Sequence, residues 1–525
     1  MAIPLTIPQL YERAVLHGGT RTAIIEGARR TSYAELGDMA LRLADALAAR
    51  GVRQGGRVAF LMANCTEYVA CEYAVARLGA TRVPLAVLLG NDDHVYMMNF
   101  ARCETLVYHA RFAARVGEMR PGLATVTRFV CVGAEAGGAL PPGHLRLEDL
   151  LALPVPPVAA AAIDPEDIAG IYFTGGTTGR PKGVMLSHRS WFHTYFMEML
   201  DFGVGMREVF VFATPMTHAS GCLILPVLLR QGTCVVLGHF EPELLLATIA
   251  RERATATLLV PTMIYLLLDH PGRAGHDCSS LRNVLYGAAP IAPERLAQAV
   301  DAFGPVFTQF FGQTEAPMAL TALQREDHLV DDPARRLEVY ASAGRATYAA
   351  EIRLVDDAGR DVAPGDSGEL IARAPNMMSG YLDNPEATAA AIRDGWLYTG
   401  DIARRDGEGL YSIVDRKKDM VVSGGYNIYP REVEDALFAH PAVRQAAVVG
   451  VPSEKWGEEV KAWVVLHPGR QVGAEELIAF VKERKGSLVA PKSIDFVDAI
   501  PVTNLGKVDK KAIRARYWEG RARAV

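Results

Sequence analysis

Apolar positions near the start of the chain alternate between two periods. Leu36, Leu43 and Leu47 fall on one face of a helical wheel, and their spacing predicts an amphipathic helix over 33–50 that Gly51 ends. Runs rich in β-branched and aromatic residues predict strands over 57–62 and 81–88, with a helix over 67–78 between them. Strand and helix in alternation imply a parallel sheet with right-handed crossovers. Strand-like runs return at 168–173 and 184–186, and at 209–213 before an apolar helix containing Leu223 to Leu229. The runs 260–262 and 281–285 also read as β. Turn residues at 342–345 and 365–370 mark short strands and a small β-rich subdomain around 340–410. The last hundred or so residues read as a compact α/β unit. It has helices over 431–439 and 475–485 and strands over 443–449, 460–466 and 494–497. Val433 and Leu437 share a face of the first helix. The Ala-, Gly- and Pro-rich stretch 133–162 reads as a surface connection.

Length and charge narrow the picture. A chain of 525 residues is too long for one ordinary core, so two or more domains are expected. A net charge of −5 gives no nucleic-acid footprint. Seven cysteines with no Cys-x-x-Cys pair argue against a disulfide framework and a zinc site, and fit a reducing compartment. The N-terminal stretch lacks a basic region followed by an apolar one, and runs such as 258–268 are too short to span a bilayer. The expectation is a soluble, cytoplasmic protein. A nicotinamide cofactor is not indicated, because no Gly-x-Gly-x-x-Gly follows a strand.

Candidate chemistry is densest between the runs 168–173 and 184–186. There Thr174, Gly175, Gly176, Thr177, Thr178 and Gly179 follow one another, and Arg180, Pro181, Lys182 and Gly183 close the loop. Glycines let backbone N–H groups converge on an anion, threonine hydroxyls add donors, and Lys182 adds positive charge. This is a phosphate cradle, but not a Walker A loop, which needs Gly-Lys-Ser/Thr opening a helix.

The loop resembles the nucleotide loop of the adenylate-forming enzymes, a group that includes acyl-CoA synthetases, peptide-synthetase adenylation domains and luciferases. The usual form has serine where Gly175 stands. Further motifs follow in the family's order. Thr214–Gly221 resembles its Pro-x-x-His segment, which implies that His218 lies beside the substrate carboxylate. Gly287, Ala288 and Ala289 match the segment that packs on adenine. Phe310, Phe311, Gly312, Gln313, Thr314 and Glu315 resemble the aromatic-Gly-x-Thr-Glu motif. Phe311 offers a ring for adenine, and Glu315 is a hard oxygen ligand suited to Mg²⁺, as is Thr178. Asp401 matches the ribose-binding aspartate, and Ile413 and Arg416 lie in the segment that reaches ribose and phosphates. Lys418 matches the hinge. Ser423, Gly424 and Gly425 match the strand edge along which the pantetheine arm of coenzyme A runs. Lys507, after Gly506, matches the adenylation lysine.

The resemblance implies an α/β fold: a large N-terminal domain of several subdomains over 1–417, one of them β-rich, and a small mobile C-terminal α+β domain over 418–525. It implies two steps. A carboxylate attacks the α-phosphate of ATP and expels pyrophosphate; the C-terminal domain then turns about Lys418, and a thiol attacks the acyl-adenylate. His218, Thr178, Glu315 and Lys507 would be catalytic. The acyl pocket would be lined by His218, Gly221, Phe310 and Met318, and its apolar character favours a fatty or aromatic monocarboxylic acid. The expected small-molecule partners are that acid, ATP with Mg²⁺, and coenzyme A. A chain ending at Val525 has no room for a carrier domain, which favours free coenzyme A; a stand-alone adenylation enzyme loading a separate carrier protein is the alternative. A homodimer is left open. One departure stands out: the family's Tyr-Lys-x-Pro-Lys appears as Leu488-Val489-Ala490-Pro491-Lys492. The contact to the coenzyme A nucleotide is therefore in doubt, and Trp456 is the candidate replacement.

Overall fold

A computed structural model describes residues 5–134, 140–174, 180–423, 426–502 and 508–519. The N-terminal part is built on two large mixed sheets. In the first, six parallel strands (Thr22–Glu26, Thr233–Val236, Val209–Phe212, Ala256–Leu259, Asn283–Gly287 and Phe307–Gln313) run side by side, and Ala316–Leu323 joins antiparallel to the last. In the second, Ile168–Thr174 lies beside Thr81–Pro84 and turns back into Lys182–Ser187. Strands buried on both faces read as continuous apolar runs, as here. The helix Tyr33–Ala49 packs between these layers through Leu36, Leu43 and Leu47. Its start is fixed by a capping box: Glu35 N donates to Ser32 Oγ at 3.2 Å, and Ser32 N donates to Glu35 Oε2 at 2.7 Å.

A third sheet carries the β-rich subdomain, with Gly368–Arg373 and Trp396–Arg405 paired and Tyr411–Arg416 added along the latter. The C-terminal unit is a five-stranded sheet around the long hairpin Val443–Ser453 and Gly457–Leu466, covered by Pro430–Phe438 and Ala474–Lys485. Among the described residues, no helix is long and apolar enough to cross a membrane.

Three local expectations need correction. The run 260–262 is not β. The strand is Ala256–Leu259, and Pro261 opens the helix Pro261–Leu268. Proline has no N–H to lose at a first helical position, and it holds the preceding residue extended, so strand and helix signals overlap there. The strand over 81–88 stops at Pro84, whose ring nitrogen cannot donate to a ladder. The connection 133–162 contains the strand His144–Arg146 and the short helix Leu147–Leu151. His144 stacks on Phe129 at 4.4 Å, and Leu147 and Leu150 are buried.

Candidate functional site

The strands Ile168–Thr174 and Lys182–Ser187, which flank the candidate cradle, form an antiparallel pair. Thr174 and Lys182 are directly opposed at its end. Gly175, Gly176, Thr177, Thr178 and Gly179 lie outside the described residues. The free edge of the hairpin takes a two-residue strand, Gly380–Tyr381, with Tyr381 opposite Val184. The Lys182 ammonium lies 4.1 Å from the centre of the Tyr381 ring, and the Tyr381 hydroxyl donates to Glu315 Oε1 at 2.7 Å. Tyr381 therefore ties the cradle lysine to the candidate metal ligand. Burial first, and then the Glu315 carboxylate, push the Tyr381 hydroxyl well above the ordinary tyrosine range, so it stays a donor. Met378 N donates to the Glu315 carbonyl at 2.8 Å, which fixes the backbone of the same turn.

Glu315 belongs to the tight turn between Phe307–Gln313 and Ala316–Leu323. The register slips between Phe311 and Gln313. Gly312 is required there: a Cβ would lie 2.6 Å from the backbone of Met318, which itself has φ +60°. The slip re-aims Gln313, Thr314 and Glu315 away from the regular ladder. Gln313 Nε2 then donates to Asp401 Oδ2 at 2.6 Å and to the Thr399 carbonyl at 2.9 Å.

Asp401 is only 2 % exposed. It faces Arg416 across the pair Trp396–Arg405 and Tyr411–Arg416, and Arg416 Nε contacts its Oδ1 at 2.6 Å. Three residues singled out in sequence thus converge. Each carboxylate oxygen has further lone pairs for hydroxyl donors. Ile413 lies on the same strand as Arg416, opposite Ala403. Gly287 pairs with Phe310, and Ala288 (φ +61°) and Ala289 turn away from the strand end. Phe311 is half-buried, whereas Phe310 is a core residue, 3 % exposed, with its ring centre 5.8 Å from that of Phe202.

His218 is exposed where Val209–Phe212 gives way to the turn Ala219–Leu223. Asn64, absent from the sequence reading, pins this loop. Its side chain donates to the Thr214 carbonyl at 2.8 Å and accepts from Met216 N at 2.7 Å. Gly221 has no room for a side chain, because a Cβ would lie 2.0 Å from the Met216 carbonyl oxygen. Met318 is buried on the strand Ala316–Leu323, in the core that also takes in Cys222 and Leu223.

In the C-terminal unit, Val421–Ser423 and Tyr426–Ile428 form a hairpin; Gly424 and Gly425 lie outside the described residues. Ser423 pairs with Gly457, which places the half-exposed Trp456 beside the same strand end. Lys507 also lies outside the described residues. The base of its loop is described: Val502 bridges Val508, and Asp509 caps Lys510–Ala515 by accepting from Ala512 N at 2.9 Å. Arg514 contacts Asp419 at 2.7 Å, next to the exposed Lys418. Lys510 contacts Glu434 at 2.8 Å.

Comparison with known proteins is unambiguous. Residues 11–382 match the family model of the AMP-binding enzymes, and 432–507 match that of the AMP-binding enzyme C-terminal domain. A medium/long-chain-fatty-acid–CoA ligase of Mycobacterium tuberculosis is 40% identical over 95% of this chain and 88% of its own. A feruloyl-CoA synthase of an Amycolatopsis species is 36% identical over 94% of this chain and 96% of its own. The solved structure of an amide bond synthetase from Marinactinospora thermotolerans superimposes with a TM-score of 0.88 at 34% identity, covering 97% of this chain and 99% of that one.

Proposed function

The chain belongs to the AMP-binding enzyme family, and from that premise we propose that it is an ATP-dependent acid–CoA ligase. It activates a fatty or aromatic carboxylic acid as its acyl-adenylate, releases pyrophosphate, and passes the acyl group to coenzyme A. The relatives act on acids of both kinds, by their names. One observation carries the reading. A single turn, Gln313-Thr314-Glu315, reaches both halves of a nucleotide site: Gln313 binds Asp401, and Glu315 is tied through Tyr381 to the Lys182 hairpin.

In this reading Asp401 accepts from the ribose hydroxyls, with Arg416 and Gln313 holding its carboxylate in place. Thr174, Lys182 and the loop between them receive the phosphates. Charge grows on those oxygens as pyrophosphate leaves, so fixed donors are most effective there. His218 orients the substrate carboxylate, which needs no base because it is already a nucleophile. Glu315 fits Mg²⁺: it is a hard oxygen donor whose Oε1 is held by Tyr381. With Thr178 it would hold the ion, which supplies charge neutralisation at the phosphates. The domain boundary falls at 417/418, with Lys418 as the pivot. Ser423, Gly424, Gly425 and Trp456 flank the coenzyme A arm.

The test is AMP formation from ATP and Mg²⁺ with a panel of fatty, aromatic and dicarboxylic acids, with and without coenzyme A. Thioester accumulation that requires coenzyme A supports the ligase. Acyl-adenylate that coenzyme A cannot discharge moves the reading to carrier-protein loading.

Tyr381→Phe keeps the ring under Lys182 and removes only the hydroxyl on Glu315. Loss of such an outer partner typically weakens a metal site about 10-fold or more. The Mg²⁺ concentration for half-maximal adenylation should rise accordingly. Mn²⁺ binding to the enzyme–ATP complex, followed by electron paramagnetic resonance, should weaken in parallel. An unchanged metal dependence on both readouts would remove Tyr381 from the site.

A further inference from the structure

The helix His188–Asp201 contributes no residue to the site so far described. Trp191, Tyr195, Glu198 and Phe202 recur at helical spacing along its inner face and into the turn that follows, and all four are buried. Three are aromatic and one is a carboxylic acid. Glu198 is 0 % exposed, and among the described residues neither of its carboxyl oxygens has a hydrogen-bond partner. Buried polar side chains are nearly always paired, so such a group calls for an explanation.

Its surroundings supply one. The turn Ala219–Leu223, which carries Gly221, packs against this helix, and Cys222 lies within electrostatic reach of Glu198. Phe202, one turn along the same face, has its ring against Phe310. The strand Ala316–Leu323, which carries Met318, packs against the helix as well. Gly221, Phe310 and Met318, with His218, are the residues assigned to the acyl pocket. Glu198 is therefore enclosed by the elements that shape it.

We propose that Glu198 is a specificity-determining residue of that pocket, meeting a hydrogen-bonding group on the far part of the substrate's tail, such as a phenol hydroxyl, a ring N–H or a ring carbonyl. This rests on the acid-activating reading above. Burial, with no cation beside it among the described residues, drives the carboxyl well above the ordinary carboxylate range, so it stays neutral. A neutral acid offers one donor and an acceptor, and so suits any of these groups. A plain alkyl tail would leave both unmatched, and sites built around a buried polar partner discriminate strongly against analogues that lack it.

The experiment compares hydroxy- and methyl-substituted members of the phenylacetate, phenylpropanoate and cinnamate series in pyrophosphate release. The wild type is expected to favour the hydroxy member of at least one pair by about 10-fold or more in kcat/KM. Glu198→Leu should erase that preference while still adenylating the methyl member. Glu198→Gln, which keeps a donor and an acceptor, should retain most of it. Thermal unfolding of each variant is followed in parallel, since a purely structural glutamate would move the melting temperature and leave the ratio alone. Equal ratios in wild type and Glu198→Leu overturn the assignment. So does a wild type that turns over all members without preference. A wild type that adenylates no acid of any kind overturns the ligase reading, and this one with it.

Discussion

Lys507→Ala is expected to slow acyl-adenylate formation by on the order of 10²-fold or more, the usual cost of removing a charge-stabilising donor from a transition state. It should largely spare the second half-reaction, thioester formation from supplied acyl-adenylate and coenzyme A. The asymmetry follows from the geometry proposed for the two steps. Lys507 lies in sequence between Val502 and Val508, which bridge each other, and just before the helix Lys510–Ala515. That helix is in turn fastened to Asp419 through Arg514 and to Glu434 through Lys510. These flanking residues thus belong to the C-terminal unit. In the proposed two-step cycle, that unit turns about Lys418, the lysine leaves and the Ser423–Gly425 edge arrives. Measuring pyrophosphate release and thioester formation separately decides the matter. A variant in which both half-reactions fell equally would contradict a lysine used in only one of two domain positions.

The residues that could be read from sequence are those whose chemistry resides in residue type at strand ends. Gly and Thr around a lysine, Glu315 in Phe-Gly-Gln-Thr-Glu, and Asp401 beside Gly400 suggest their candidate roles without knowledge of the fold. Tyr381 does not. Its strand is two residues long and has no period, and its role arises only because it adds to the edge of the 168–187 hairpin. Asn64 was hidden for a similar reason, since it caps a loop roughly 150 residues away in sequence. Glu198 left a faint signal, a lone acid within the helical stripe Trp191, Tyr195, Phe202. The acyl-pocket expectation rests on His218, Gly221, Phe310 and Met318, and this helix is not among the segments it draws on. At Pro261 the local signals for strand and helix coincide, and only packing separates them.

The proposed ribose site gives the second large effect. Asp401→Asn is expected to lower kcat/KM for ATP by about 10²-fold, because hydrogen bonds to a charged acceptor contribute roughly 1.5–3 kcal/mol each and two hydroxyls are involved. The substitution also removes the anion that Arg416 faces at 2.6 Å. Arg416 is 45% exposed, so water can solvate its guanidinium and the fold should survive. Gln313 then meets an amide in place of a carboxylate, and the turn that also carries Glu315 loses part of its anchor. The decisive comparison uses 2′,3′-dideoxy-ATP. The wild type should discriminate against it by a factor similar to the mutational loss, and Asp401→Asn should hardly discriminate at all. The two changes remove the same interaction, so their effects must not add. If the variant still rejects the dideoxy nucleotide as strongly as the wild type does, the hydroxyls are read by some other group. Asp401 would then serve only to hold Arg416 and Gln313 together.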